Sequence, residues 1–279
     1  MRAILPPIAG RWLPVLGLLL AAPLAARAQR SFYRVYQYEQ PLKGWLEATL
    51  WTTVVPSSRL DYEHFGEGLT RNGLSAHSFE LEYGLTDQST FGVYLNAENP
   101  GGQGLEVSQL QAVYRYRLGR RYEHFLNTSF YLGYLVPRHR YGNTQETELR
   151  VVLEHDFNDF RVVLNPTLSK AVTGEEARYW PTTRLDAGLY YRRYFHVQPG
   201  VELYNEFGEL GVFAQPHYHQ VFPTLDLRGF GFDLNLGLGL PLTARNDDRL
   251  VVKALLVYSL GAVRPERLFH RGQRTTANQ

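Results

Sequence analysis

The stretch that decides the fold is Phe79 to Asn96, FELEYGLTDQSTFGVYLN. Read with a period of two, Phe79, Leu81, Tyr83 and Leu85 share one face, and Ser78, Glu80, Glu82 and Gly84 share the other. After Thr86, Asp87 and Gln88 the alternation resumes, with Phe91, Val93, Leu95 and Ala97 against Thr90, Gly92, Tyr94, Asn96 and Glu98. That is a β-hairpin with one apolar and one polar face. A single hairpin leaves open which face meets solvent. Repetition settles it, because the same rhythm runs to the end of the chain without a competing helical period.

Working outward, twelve such segments are legible. Ahead of the hairpin, Trp45 to Val54 sets Leu46, Ala48, Leu50 and Val54 against Trp45, Glu47, Thr49 and Trp51. Behind it, a fourth strand reaches Leu118, and further strands follow over 125–136, 147–157, 160–172, 183–195, 201–207, 217–228, 230–240 and 250–260. The segment 217–228 is irregular around Pro223. Pro166 inside the seventh strand predicts a bulge or a bend, since proline cannot donate to the ladder. Connections are read as long after the odd-numbered strands and short after the even-numbered ones. An even strand count with short turns on one rim and longer loops on the other describes an up-and-down transmembrane antiparallel β-barrel, with both chain ends at the short-turn, periplasmic rim.

The chain begins with Arg2 and Arg11, an apolar run from Leu13 to Ala22, and Ala26-Arg27-Ala28. This is the layout of a secretory signal peptide, and we place the cleavage after Ala28. The expected organisation is a signal peptide over 1–28, a periplasmic lead-in over 29–44 that is aromatic and polar without period, the barrel over 45–260, and a polar arginine-bearing tail over 261–279. Removing the leader removes three of the 29 basic residues, so the mature chain balances 26 of them against 27 acids. The basic pI is therefore partly the leader's, and nucleic acid is not an expected partner. Without cysteine, disulfides and thiolate zinc sites are excluded. No later stretch has 18 consecutive apolar residues, so no spanning helix is expected.

A soluble sandwich also has one apolar face per strand. Here the polar faces mix Gly, Ser, Asn and Tyr with opposite charges, as a crowded lumen would, and lysine occurs only at 43, 170 and 253. Exposed sheet edges in soluble proteins are commonly guarded by lysine. Aromatic pairs at strand ends, Phe157 with Phe160, Tyr122 with Phe125 and Tyr194 with Phe195, fit an interfacial girdle. Lys170 and Arg193 fall on the lipid-facing phase and are expected to snorkel from strand ends.

On the strand–turn FELEYGLTDQSTFGVYL and the late glycine-rich strand GFDLNLGLGLPLT (231–243), the sequence resembles the bacterial outer-membrane channel family associated with the meta-pathway of phenol degradation. That resemblance implies an outer-membrane barrel of a Gram-negative bacterium passing hydrophobic or aromatic compounds. The last strand, Lys253 to Leu260, is similar to the terminal signal read by the barrel assembly machinery, but carries Leu255 where glycine is usual and does not end the chain.

The inward phase carries thirteen acids and eight bases, a surplus of five acids. An open lumen would then prefer cations weakly. The plainer reading is that these charges pair across strands and fill the barrel. The candidate lumen-lining residues are Glu80, Glu82, Glu148, Arg115, Arg150, Arg184, Arg192 and Glu202, with Glu80 and Glu82 foremost. No catalytic constellation is read: G-x-S-x-G is absent, and His77, His155 and His219 on apolar faces have no convincing partners among Ser75, Ser78 and Ser169. His217 and His219 alone do not make a metal site. No cofactor is called for. The expectation is a passive channel for a small solute, with lipid and the assembly machinery as partners; the alternatives are a lipid hydrolase and a closed barrel acting as anchor or scaffold.

Overall fold

A computed structural model describes residues 35–60, 70–99, 104–212, 217–229, 231–243 and 248–262. The signal peptide and most of the C-terminal tail lie outside the described residues. The twelve strands are β1 (Trp45–Ser58), β2 (Leu74–Gly84), β3 (Ser89–Asn99), β4 (Glu106–Leu118), β5 (Asn127–Pro137), β6 (Glu146–Phe157), β7 (Phe160–Ala171), β8 (Thr182–Tyr191), β9 (Val197–Glu209), β10 (Tyr218–Leu227), β11 (Asp233–Pro241) and β12 (Asp248–Ala262). Each pairs antiparallel with its neighbours in sequence, and β12 returns to β1, closing the barrel. Closure leaves no unpaired edge.

The phase read from the sequence is the phase of the wall. Glu80 and Glu82 are each 4% exposed and face inward, whereas Phe79 and Leu95 on the other face are 46% and 42% exposed. Exposed rows of Leu, Val, Phe and Tyr would be costly in water, and they suit hydrocarbon. At the short-turn rim Phe125, His155, Phe157, Phe160, Tyr191 and Tyr194 form a continuous chain of rings with centroids 4.4 to 6.3 Å apart. Tyr122 leaves that girdle: with φ of 67° it turns its hydroxyl to Asp156 Oδ2 at 2.7 Å. Lys170 reaches the carbonyls of Ala177 and Tyr179 in the loop after β7, and Arg193 comes within 4.0 Å of Asp159 at the rim.

Two expectations need correction. Pro166 makes no bulge, because the β6–β7 register is the same on both sides of it, at Arg150↔Thr167 and Leu153↔Leu164; the pairs between are simply missing. Register shifts fall instead in β1–β12, at Asn96/Ala97 and at Thr183/Arg184. Nor is the loop alternation strict. The turn after β4 has eight residues (119–126), more than the six after β3 (100–105) or β11 (242–247).

Residues 35–43, read from the sequence as a lead-in, run inside the barrel. Val35 packs among the buried apolar residues of the lumen, and the segment descends to the short-turn rim, where Lys43 bridges Gly84 and Gly44 N–H donates to Gly84 O at 2.7 Å. A Cβ at Gly84 would sit 2.0 Å from the carbonyl oxygen of Leu42, so only glycine lets this segment pass the wall. Replacing Gly84 by Ala should therefore lower the stability of the refolded barrel by about 1–3 kcal/mol, read as a lower guanidinium midpoint; an unchanged midpoint would show that Leu42 yields without cost.

Candidate functional site

The lumen is built in two halves. Toward the long-loop rim it is apolar: Val55, Leu74, Phe222 and Val251 are at most 2% exposed and cluster with Tyr204 and with Tyr141, which the loop after β5 brings inward. The glycines of β11 make room for this layer, since a Cβ at Gly239 would meet the Phe222 ring at 2.4 Å and one at Gly237 would meet Lys253 Cε at 2.5 Å. Close packing, rather than any phosphate-binding role, accounts for them.

Toward the short-turn rim the lumen is polar and is filled by the inner segment. Asn165 grips its backbone from both sides, accepting from Tyr36 N–H at 2.6 Å and donating to Tyr36 O at 3.1 Å. Glu154 accepts from Tyr38 N–H at 3.0 Å, and the Tyr38 hydroxyl donates to Gly119 O at 2.9 Å. Arg115 donates to the carbonyls of Gln37 and Glu39 at 3.0 and 2.9 Å while holding Glu82 through Nη1 at 3.1 and 3.2 Å. Tyr36 lies beneath Arg150, whose guanidinium carbon is 4.3 Å from its ring centroid and 5.2 Å from that of Tyr131. The two rings adjoin, with centroids 5.2 Å apart, and together face one desolvated cation.

Glu39 is the electrostatic knot of the segment. Arg121, Arg228 and Arg161 approach it at 2.7, 3.0 and 3.6 Å. Arg161 also binds Asp156 at 2.7 Å, and Asp156 in turn binds Arg192 at 2.6 Å. Burial pushes the Glu39 carboxyl up, but Arg228, Arg121 and Arg161 outweigh it and hold the group down at about 2.

Seven of the eight candidate residues from the sequence lie on the inner wall, in separate groups, and Arg192 lies in the turn after β8. Glu82 pairs with Arg115; Glu148 pairs with Arg150 at 2.8 Å and with Arg184; Arg192 belongs to the Asp156 group. Glu202 pairs with Lys253 and accepts from Tyr190 and Tyr204 at 3.0 and 2.6 Å. Glu80 accepts from Trp51 Nε1 at 2.9 Å and, among the described residues, has no guanidinium in hydrogen-bond reach. Sequence reasoning missed Glu39, Gln37, Tyr36 and Tyr38. The only signal for them was the density of aromatic and polar residues in VYQYEQ immediately ahead of β1.

Beside the inner segment a cavity of about 360 Å³ remains, reaching from Trp51, Tyr190 and Lys253 at mid-barrel to Glu47, Asp233 and Val257 near the short-turn rim. Seven of its lining side chains are carboxylates and three are cationic. Among the described residues no three His, Asp or Glu converge as metal ligands. The histidines of the apolar face are engaged there, His77 with Thr52, His155 with Phe125 O and His219 with Asn205.

The fold and site thus define a twelve-stranded membrane-type β-barrel with residues 35–43 lying inside its lumen. No family model matches the sequence, and no curated protein matches it. Among solved structures, similarity is found to an outer-membrane channel from Pseudomonas putida F1, with 13% identity, 84% of this chain and 100% of that chain covered, and a TM-score of 0.48. The KdgM porin in complex with disordered oligogalacturonate gives 10%, 77%, 98% and 0.48, and LpxR from Salmonella typhimurium gives 8%, 76%, 99% and 0.45. Similarities this low carry no argument about function.

Two measurements test the network. Arg161→Met removes the cation shared by Glu154 and Asp156, leaving them Arg121 and Arg192, and should cost about 1.5–3 kcal/mol of stability, seen in denaturant unfolding. The pull on Glu39 stabilises the fold above pH about 4.5, its ordinary value, and is lost as pH falls toward about 2. Its side chain is 49% exposed, so water screens the pull and the loss is modest. Glu39→Gln should flatten the stability profile in that window.

Proposed function

We propose that this chain is an outer-membrane channel of a Gram-negative bacterium that passes a small solute, and that residues 35–43 are its plug. The observation that carries this is the inner segment itself. It fills the polar half of the lumen, yet side-chain contacts and one bridge at its base hold it, rather than a strand ladder, so it can leave without opening the wall. Twelve strands enclose more space than the eight or so that side chains alone can fill, and the remaining cavity shows that this barrel is not packed solid.

The lumen wall supplies selectivity, with Glu80 and Glu82 foremost and Arg115, Arg150, Arg184, Arg192, Glu148 and Glu202 fixing the charge pattern around them. The apolar layer at the long-loop rim favours solutes with an apolar body. The barrel works without covalent catalysis, its partners being lipid, the assembly machinery during insertion, and the solute.

Single-channel recording in a planar bilayer tests this reading. Residues 29–279 should give small or infrequent steps, and removing 29–41 should raise conductance severalfold, with a cation preference that weakens in Glu80→Gln/Glu82→Gln. Silence from both forms, each shown to be inserted, would overturn the channel reading in favour of a closed anchor.

A further inference from the structure

The plug brings one carboxylate to the short-turn rim, and the barrel meets it with a set of converging donors. Arg121 Nη1 donates to Glu39 Oε1 at 2.7 Å, Arg228 Nη1 donates to Oε2 at 3.0 Å, and Arg161 approaches at 3.6 Å. The same arginines also take a neutral oxygen of the plug, with Gln37 Oε1 accepting from Arg161 Nη1 and Arg228 Nη2 at 3.0 Å each. Guanidinium groups are the donors by which proteins recognise carboxylates.

These arginines do not depend on Glu39 for their positions. Arg121 is held by Glu154 at 2.6 Å, Arg161 is held by Asp156 at 2.7 Å, and Arg228 stands 3.6 Å from Asp226. The cradle is therefore preorganised, and it keeps its shape when the plug leaves. Its charge does not stay balanced. Among the described residues, ion pairs at this rim join four cations of the barrel, Arg121, Arg161, Arg192 and Arg228, to three of its acids, Glu154, Asp156 and Asp226; Glu39 supplies the fourth acid. With the plug out, one cation is left over, and a cation withdrawn from bulk water needs a counter-charge.

Glu39 arrives on a segment that one bridge ties to the wall, and its side chain is 49% exposed, so a dissolved anion can reach the same donors. Arg121 and Arg228 lie in the turns after β4 and β10, at the rim itself. We infer that this cradle is a binding site for the carboxylate of a small organic acid, that Glu39 is its built-in occupant, and that a free carboxylate taking the place of Glu39 releases the plug. The acid acts as a trigger, whatever solute then passes. The release rests on the reading of residues 35–43 as a plug, whereas the site rests on the arginine contacts alone.

Glu39→Ala vacates the carboxylate position and leaves the arginines in place. Acetate is the probe and acetamide its neutral counterpart, each added to refolded residues 29–279 in detergent, with sodium chloride keeping the ionic strength equal. Acetate should raise the thermal midpoint of Glu39→Ala saturably, and acetamide should not. Half-saturation should need about tenfold more acetate in the unaltered chain, where Glu39 competes, and adding Arg228→Gln to Glu39→Ala should abolish the effect. Equal shifts from acetate and acetamide, or an acetate response that survives Arg228→Gln, overturn the site. If Glu39→Ala does not refold, the comparison of acetate with acetamide on the unaltered chain decides alone. In a planar bilayer, acetate on the short-turn side should raise the open probability of the unaltered chain severalfold over acetamide and leave a chain lacking 29–41 unchanged. Saturable acetate binding with a silent bilayer refutes the release and the channel but spares the site; a chain lacking 29–41 that conducts, with a Glu39→Ala form that ignores acetate, refutes the site and spares the channel.

Discussion

Charge sealed inside a closed β wall has to find its counter-charge within the lumen. Everything else in this barrel follows from that constraint. The outer face can be satisfied by lipid, residue by residue, but the inner face of each strand brings carboxylates and guanidinium groups into a space from which most water is excluded. Arg161, fully buried, is held by Glu154, Asp156 and Glu39 together. Arg115 needs both a carboxylate from β2 and two backbone carbonyls from the inner segment. The wall is thus incomplete as an electrostatic object until residues 35–43 lie against it.

The two halves of the lumen use different physics for the same end. At the long-loop rim Val55, Leu74, Phe222 and Val251 exclude water by simple apolar contact, which asks for no partner and tolerates sliding. At the short-turn half the contacts are directional, and each lost hydrogen bond would leave a buried orphan. The lumen therefore presents a soft apolar layer at one end and a directional polar one at the other.

How much of this was legible in the sequence follows from which interactions have a period. The side-chain alternation of a strand is fixed by backbone geometry, so the inward placing of Glu80, Arg115, Arg150 and Glu202 could be read directly, as could the outward placing of Phe79 and Leu95. The pairing of Glu148 with Arg184 depends on the stagger of β6, β7 and β8, for which alternation holds no information. Residues 35–43 join no strand ladder beyond one bridge, so they carry no period and read as a lead-in. At Pro166 the sequence predicts a bulge or a bend, and the register excludes the bulge. A missing donor can be absorbed by leaving two pairs unmade, with no need for an extra residue.

The direction of the chain gives the inner segment one more consequence, in the order of assembly. Residues 35–43 precede β1, whereas the strand that seals the cylinder against β1 is β12, some two hundred residues later. That seam is the pairing of greatest sequence separation and bears the largest loop-closure cost, so it forms late. Until then the sheet is an open trough, and the segment can settle onto Asn165, Glu154 and Arg115 from the side. The last strand then encloses it, and nothing has to be threaded through a finished ring.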